Sequence, residues 1–324
     1  MDALSDVLKS VRLAGACYLN AEFTAPWCIR GELSIPSVRA RLAAADHVAF
    51  FHYVTEGACK VRLAEGGDVL EARAGDLVFF PQEGRHLMGT DLQLAPMEAD
   101  AFSASANPPG VDVFQLRYGG GGKVTRFTCG YLACERSTFR PLFEALPRLL
   151  CIPVGDGPAS ALLRELLRAG VRESSELRPG ADSMLAKVAE LLFVEAMRRY
   201  METLPPEGRG WLAGVRDPHV GRALSLLHAE PGRAWSVDVL AREAALSRSA
   251  LAERFTNLVG ESPIQYLMRW RLALAAQALR SGADAIAQLA ERSGYESEAA
   301  FSRAFKREFG MPPAAWRRAA ANLG

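Results

Sequence analysis

The sequence lacks any apolar run long enough to cross a membrane, and it carries almost no net charge. None of its hydrophobic stretches approaches the roughly 18–20 residues that span a bilayer. Its opening segment, MDALSDVLKS, has neither the basic nor the apolar region of a secretion signal. We therefore expect a cytosolic protein with no membrane partner. With 38 Lys+Arg against 37 Asp+Glu, the formal charge of +1 also excludes a histone-like polycation.

Cysteine is sparse, with 6 residues in a chain of 324. This number, at irregular spacing, does not build the disulfide framework of a small secreted protein, so we expect reduced thiols that mostly lie in cores. Hydrophobic residues make up 49% of the chain, which excludes global disorder. At roughly 100–200 residues per domain, the length indicates two or three domains.

The near-zero net charge hides two parts of opposite sign. The stretch 204–210, rich in proline and glycine, is the clearest candidate for a linker. From Arg209 onward, 16 Lys+Arg face 11 Asp+Glu, whereas the rest of the chain has 22 against 26. Arginine supplies 15 of those 16 cations, and its planar guanidinium suits phosphates and guanine edges. The C-terminal part is therefore the candidate for binding a polyanion, and a merely solvated basic surface remains the alternative.

Within this basic part, one stretch of sequence occurs twice. Residues 240–247 are similar to residues 289–297, where the second copy has one extra residue, and beyond that insertion the copies keep a constant offset of 50. The matching pairs are Leu251/Phe301, Phe255/Phe305, Gly260/Gly310, Pro263/Pro313 and Tyr266/Trp316. Each copy predicts a short helix, a tight turn and a second helix, with a serine N-cap at its start and a glycine at its end.

This order of elements is that of a helix-turn-helix unit. A predicted helix from Pro263 to Leu279 joins the two units and would hold them at a fixed separation. Two recognition helices held rigidly can enter successive major grooves, about 34 Å apart. Because the few side chains of one unit specify a DNA site poorly, the duplication favours a site-specific DNA-binding module.

Residues 217–319 resemble the DNA-binding domain of AraC/XylS-type transcription regulators. The stretch AERSGYESEAAFSRAFKREFGMPP, residues 290–313, follows the most specific motif of that family almost throughout. The resemblance implies a regulator that binds double-stranded promoter DNA and contacts RNA polymerase. It implies base-facing residues Arg248, Ser249, Ala252 and Glu253 in the first unit and Glu298, Ala299, Ser302 and Arg303 in the second, with Lys306 on a phosphate. Arg303 is the best candidate for a guanine contact.

Before about residue 135 the pattern changes to short β-rich runs punctuated by glycines. The predicted strands are His47–Val54, Cys59–Leu63, Asp68–Glu71, Leu77–Phe80, Val111–Arg117 and Thr125–Leu132. Short strands at about ten-residue spacing predict a sandwich or barrel. The stretch 75–86 resembles the second cupin motif, and residues 52–57 resemble part of the first.

The sequence therefore predicts an α+β, multidomain protein. Its parts are a cupin-like β-barrel sensory domain (1–155), a central helical connector (156–204), a linker (205–216) and an all-α domain with two helix-turn-helix units (217–319). The connector contains two Leu-rich amphipathic segments, Ala159 to Arg172 and Ser183 to Tyr200. They either pair two copies of the chain as a homodimer or simply cover the barrel.

Cupins commonly hold a metal with two histidines one residue apart, a glutamate and a later histidine. Phe50 occupies the first of these positions, so the full ligand set is absent, while His52, Glu56 and His86 match the others. Cys129 lies on a later strand that can face the same interior. His52, His86 and Cys129 would suit zinc or ferrous iron. The alternative is that these side chains form hydrogen bonds inside the barrel.

The stretch 128–131, followed by 143–147, resembles the cupin type of AraC-family members that include sensors of reactive chlorine and other electrophiles. In those proteins a cysteine matching Cys129 takes part in sensing, which requires an accessible thiolate of low pKa. The resemblance implies a regulator, not an enzyme, controlled by a small molecule, a metal or an oxidant. The rival interpretation is a cupin dioxygenase or isomerase with iron on His52, Glu56 and His86, fused to a DNA-binding module.

Overall fold

The structure is a computed structural model that describes residues 4–5, 14–33, 47–98, 114–134, 142–143, 145–154, 157–176, 178–205, 207–282 and 284–321. Its N-terminal part forms the strands β1 Ala14–Thr24, β2 Cys28–Leu33, β3 His47–Glu56, β4 Ala58–Leu63, β5 Leu70–Arg73, β6 Asp76–Phe80, β7 Gly84–Gly89, β8 Met97–Glu98, β9 Phe114–Gly119, β10 Val124–Cys134 and β11 Leu150–Pro153. The first three residues of the predicted strand Val111–Arg117 lie outside the described residues.

The strands form two sheets, with orders β11-β6-β3-β10-β1-β9 and β5-β4-β7-β2-β8. The predicted β-rich domain is thus confirmed, but among the described strands the sheets do not join into the closed barrel that we expected. Each sheet ends in edge strands, and a parallel strand is added at one edge, β9 beside β1 and β8 beside β2. The architecture is therefore a two-sheet sandwich.

The six-stranded sheet is buried on both faces, which explains the long apolar runs in β3 and β10. One face of β3 and β10, with Phe50 and Phe127, packs against the smaller sheet. The other face, with Phe51 and Leu132, packs against helices. Because side chains alternate along a strand, consecutive residues such as Phe50 and Phe51 enter different cores.

After β11, the described residues form mainly helices. The helices are α1 Pro158–Ser175, α2 Ala181–Thr203, α3 Trp211–Arg216, α4 Pro218–Ala229, α5 Val237–Glu243, α6 Arg248–Val259, α7 Pro263–Ser281, α8 Ile286–Arg292, α9 Glu298–Phe309 and α10 Pro313–Ala321. The two predicted connector helices are α1 and α2, and the predicted joining helix is α7. In the part of the chain that the structure describes, no helix combines the length and hydrophobicity needed to cross a bilayer.

Helix α2 connects the sheet to the first helix-turn-helix unit. On the sheet side, β1 approaches it so closely that a Cβ atom on Gly15 would lie 2.6 Å from the carbonyl oxygen of Ala186. The same hydrophobic core continues through Phe193 of α2 to Trp211 of α3 and Phe255 of α6. The two-sheet sandwich and the first helix-turn-helix unit therefore share one packed core.

Much of the predicted linker 205–216 is folded and packs between helix α2 and the first helix-turn-helix unit. Helix α3 is buried through Trp211 and its next residues. The guanidinium of Arg216 donates hydrogen bonds to the carbonyl oxygens of Met201, at 3.1 Å, and Pro205, at 2.7 Å, and also to that of Leu204. Proline and glycine at 204–210 end helix α2, as the sequence indicates, but the chain folds again at once.

Candidate DNA-binding interface and interior polar cluster

The second helix of the first unit, α6, buries one face and exposes the other. Its serine N-cap, Ser247, accepts a hydrogen bond from the Ala250 amide, and Gly260 ends the helix in the left-handed conformation, as predicted. Leu251 and Phe255 face the core. The remaining face presents the predicted DNA-binding residues Arg248, Ser249, Ala252 and Glu253, of which Ala252 is half-buried.

The second unit repeats this arrangement in α9. Phe301 and Phe305 face a separate core. The predicted residues Glu298, Ala299, Arg303 and Lys306 are exposed, and Ser302 is half-buried. The structure therefore places every predicted DNA-binding residue on the outer face of one of these two helices.

The outer faces of α6 and α9 differ in whether their basic side chains form ion pairs within the protein. Arg248 forms an ion pair with Asp238 at 3.4 Å, and Arg254 binds Asp217 through Nε at 2.8 Å and Nη2 at 2.5 Å. In α9, by contrast, Arg303 and Lys306 have no carboxylate partner among the residues that the structure describes. The second unit therefore offers the more available positive charge to DNA.

The Arg254–Asp217 pair has a structural role that the sequence did not indicate. Asp217 is the N-cap of α4 and accepts hydrogen bonds from the backbone amides of His219, at 3.0 Å, and Val220, at 2.9 Å. Burial alone would raise the pKa of Asp217. The hydrogen bonds from Arg254 and from these two amides lower it by more, so the net pKa lies below its ordinary value. An Asp followed by Pro218 is a helix-start signal that could have revealed the N-cap, although not its distant partner Arg254.

Inside the sandwich, three polar side chains form a buried hydrogen-bonded chain. His52 Nδ1 lies 2.7 Å from Cys129 Sγ, and His52 Nε2 lies 3.0 Å from His86 Nε2. All three residues are buried, with exposed fractions of 4% for His52, 1% for Cys129 and 1% for His86. The backbone of Gly31 makes room for His86, because a Cβ atom there would clash with its ring. These hydrogen bonds therefore connect strands β3 and β10 of the larger sheet to strand β7 of the smaller sheet.

Burial keeps both imidazoles neutral. Burial, followed by the charge of neighbouring His86, lowers the pKa of His52 well below its ordinary value. Burial lowers the pKa of His86 to about 4. Neutral rings allow two proton arrangements, in which His52 Nδ1 either accepts a hydrogen bond from the Cys129 thiol or donates one to its sulfur.

The order of the three groups bears on the predicted metal ligands. Cys129 and His86 contact opposite nitrogens of the His52 ring, so the three do not converge on one point. Among the described residues, no group of three or more His, Cys, Asp or Glu side chains is arranged to hold a metal ion. The geometry of the described residues matches the hydrogen-bonded alternative.

Phe50 and Glu56, the two other positions of the cupin ligand pattern, lie apart from this cluster's hydrogen bonds. Phe50 fills the interior beside this cluster, in the same core as Cys129. Glu56 lies at the exposed end of β3 and forms ion pairs with Arg126, whose Nε also binds Glu22 at 2.8 Å. Glu56 therefore does not join His52 and His86, because a register shift at Arg126/Phe127 turns the strand end outward.

A cleft of about 610 Å³ that the sequence did not reveal lies between α1 and the outer face of the six-stranded sheet. Its polar residues come from distant segments, among them Asn20, Gln115 and Thr128. They bind one another, since Asn20 Nδ2 donates to Gln115 Oε1 at 2.9 Å and Thr128 Oγ1 donates to Asn20 Oδ1 at 3.4 Å. This network ties β1, β9 and β10 together.

Comparisons with known proteins agree with the two-part organisation. Residues 2–202 match the Cupin family, and residues 240–319 match the helix-turn-helix domain family. The chain is 34% identical to a putative AraC-like transcription regulator of Streptomyces lividans, over 98% of each protein. It is 29% identical to the HTH-type transcriptional regulator AlkR of Acinetobacter baylyi, over 98% of this chain and 99% of that protein.

It is also 27% identical to the RCS-specific HTH-type transcriptional activator RclR of Escherichia coli, over 98% of this chain and 97% of that protein. Among solved structures, ToxT from Vibrio cholerae O395 matches 95% of this chain and 97% of its own, with 13% identity and a TM-score of 0.37.

Proposed function

The protein belongs to the AraC family of DNA-binding transcription regulators and has a cupin-like sensing domain. On this premise, we propose that the sensing domain detects its signal at the hydrogen-bonded side chains of Cys129, His52 and His86. One observation carries this proposal. Three polar groups are buried in an interior otherwise lined by Phe50, Phe127 and other apolar side chains. Burying polar groups in an apolar interior costs stability that hydrogen bonds only offset, and we propose that the thiol and the imidazoles are placed there for a chemical role.

We propose that the signal is a small oxidant of the hypohalous acid class. The Cys129 thiol takes up the oxygen of the oxidant, chloride leaves, and the product is a sulfenic acid. His52 Nδ1, 2.7 Å from the sulfur, is placed to accept a hydrogen bond from the thiol and so to orient it, and the thiol proton leaves with the chloride. Cys129 is buried and is not the accessible thiol that the resemblance implies, so we propose that only a small, uncharged molecule reaches it. One relative, RclR, is named an RCS-specific activator, which supports this class of signal.

The added oxygen has a direct mechanical consequence. Cys129 is 1% exposed and lies in a core of apolar side chains, so a larger sulfur group is expected to displace His52 or the neighbouring strand. Phe51 and Tyr53 flank His52 and point into the core that continues through α2 to Trp211 of the first unit. A shift of β3 would therefore change the population of arrangements of the DNA-binding units.

Replacing Cys129 by serine is expected to abolish the response of a promoter reporter to hypochlorite, because serine forms no sulfenic acid. The matched control is Cys59→Ser, which alters a second buried thiol of the same core, one whose pKa burial raises to about 12. That variant should respond like the wild type. An unchanged response in Cys129→Ser, or loss of the response in both variants, would contradict the assignment.

We infer that the sensing domain catalyses no reaction and that the DNA-bound chain acts in the cytoplasm by contacting RNA polymerase. The rival dioxygenase or isomerase requires His52, Glu56 and His86 around one iron. The ion pair of Glu56 with Arg126 at the strand end supports the regulator instead.

We further propose that two copies pair through α1 and α2. Leu162 of α1 is 61% exposed and Leu191 of α2 is 50% exposed, although the opposite faces of these helices are buried. Pairing would cover both side chains, and a paired regulator contacts a longer, more specific operator.

Leu191→Arg is expected to weaken self-association at least about tenfold, since it places a charge where an apolar contact forms. Sedimentation velocity over a concentration series measures the change. Val69→Arg is the matched control, because Val69 is 53% exposed but lies on the sandwich, away from α1 and α2. Equal sedimentation of Leu191→Arg and the wild type at every concentration would contradict pairing through this face.

A further inference from the structure

Helix α7 belongs to two separate hydrophobic cores. Its residues Tyr266, Leu267 and Trp270 lie in the core of the first helix-turn-helix unit. Leu272 and Leu279 lie in the core of the second unit. The two recognition helices, α6 and α9, are therefore packed in different cores, and a single helix passes from one core to the other next to position 271.

Arg271 lies at this crossing and binds backbone carbonyls of both units. Its Nε donates to the carbonyl oxygen of Pro231 at 2.6 Å, and its Nη2 donates to that of Arg233 at 2.8 Å. Both acceptors lie in the loop between α4 and α5 of the first unit. Its Nη1 donates to the carbonyl oxygen of Ser293 at 3.5 Å, in the turn between α8 and α9 of the second unit. One guanidinium thus joins the two units.

The surroundings of Arg271 are shaped to hold it. Ser293 is only 4% exposed. Gly294 has φ +78, and a Cβ atom there would lie 2.5 Å from Arg271 Nη1, so the turn passes directly over the guanidinium. Burial lowers the pKa of Arg271 from its ordinary value, which is the effect of removing a cation from water. Carbonyl oxygens on three sides offset that cost.

The chemistry of the side chain fits this position specifically. A guanidinium has five N–H donors in one plane, directed away from each other, so it can bind acceptors in separate segments simultaneously. A lysine ammonium is a compact group at the end of a flexible stem and cannot span the same acceptors. Hydrophobic packing alone is non-directional and tolerates small rotations about the α7 axis, whereas the three hydrogen bonds of Arg271 do not.

We propose that Arg271 is a positioning residue that fixes the orientation of the two helix-turn-helix units, and so sets the spacing between half-sites that this chain accepts in its operator. The part concerning the operator rests on the proposed site-specific DNA binding by both units. The part concerning orientation stands on the geometry of Arg271 alone.

The orientation is tested in the full chain without DNA. Spin labels are attached through ketone-bearing residues at positions 256 and 307, on the exposed faces of α6 and α9, which leaves the native cysteines unlabelled. Arg271→Ala is expected to broaden the inter-label distance distribution at least about twofold, and Arg271→Lys to give an intermediate width. Arg269→Ala removes the same charge from the same helix, but Arg269 pairs with Glu261 of the first unit, so its distribution should match the wild type.

The operator spacing is tested with duplexes selected from random DNA by the wild-type chain. Inserting one base pair between the half-sites is expected to weaken wild-type binding about tenfold, and this penalty should fall to within about threefold in Arg271→Ala. General unfolding would instead weaken binding at every spacing by one factor. An unchanged distance distribution and an unchanged spacing penalty in Arg271→Ala would overturn the inference. Failure of the wild type to select any sequence would contradict DNA specificity, while the distance measurement still decides the role of Arg271.

Discussion

Replacing Arg303 by alanine is expected to weaken binding of the full chain to its operator by about 10- to 100-fold, which corresponds to about 1–3 kcal/mol. Arg303 lies on the outer face of α9 and has no carboxylate partner among the described residues, so its fork is available for the O6 and N7 atoms of a guanine. Gel-shift titration against the operator and against scrambled DNA measures both affinity and selectivity. Arg303→Lys should recover charge but not selectivity, because an ammonium lacks the two parallel donors.

Three further variants separate base contact from charge and from folding. Lys306→Ala should weaken binding to every sequence similarly and reduce the salt dependence by about one ion, as expected for a phosphate contact. Arg254→Ala should lower the stability of the first unit, because Asp217 loses its partner. Arg73→Ala, a charge-matched change on β5 of the sandwich, should leave DNA binding intact. Wild-type affinity and selectivity in Arg303→Ala would show that the assigned face of α9 is wrong.

Acidification of the metal-free chain from pH 7 to pH 4 is expected to lower the free energy of unfolding by up to about 3 kcal/mol through His86 alone. Burial lowers the pKa of His86 to about 4 in the folded chain, against 6.5 for an ordinary histidine. The unfolded chain therefore takes up this proton first as the pH falls. The stabilisation is complete above about pH 6.5 and is lost as the pH falls toward 4. His52 acts in the same direction.

Carboxylates also destabilise folded proteins in acid, so the informative quantity is a difference between variants. His86→Gln retains a polar group near His52 but has no proton to bind in this range. Urea unfolding of the wild type and of His86→Gln at several pH values measures the two stability curves. We expect the curves to converge as the pH falls from 6.5 to 4. Curves that stay parallel throughout would contradict the buried, neutral state of His86.

The helical part of the fold could be predicted from the sequence because its signals are local. Ser247 and Ser297 cap their helices, and Gly260 and Gly310 end them in the left-handed conformation, at the positions that the repeat indicates. Each signal acts within a few residues of the chain, so no distant contact is needed to interpret it.

The sheets were less predictable because their partners are distant. Strand β1 was missed altogether, and it pairs with β10 more than a hundred residues later. The two-sheet arrangement depends on which edge each strand joins, which alternation of side chains does not specify. Helix α3, within the predicted linker, has no local signal for a related reason, since Trp211 packs against distant residues such as Phe255 and Tyr266.

The candidate sites also combine features that the local sequence predicts with features that depend on distant contacts. Alternation along β3 and β10 places His52 and Cys129 in one interior, and the helical period places Arg303 and Lys306 outward, so both were accessible from the sequence. The order of Cys129 and His86 around the His52 ring depends on side-chain rotamers and strand register. The contacts of Arg271 depend on two loops of different units. Neither the order of side chains around His52 nor the contacts of Arg271 can be predicted from the local sequence pattern.

Selection of binding sites from random duplex DNA by the full-length chain, followed by footprinting, tests the central claim most directly. Regulation through two helix-turn-helix units predicts two enriched half-sites about one helical turn apart on one face of the duplex, and affinity that falls steeply with salt. Enrichment of no sequence, or of one half-site with no constraint on its flank, would contradict recognition by the paired units.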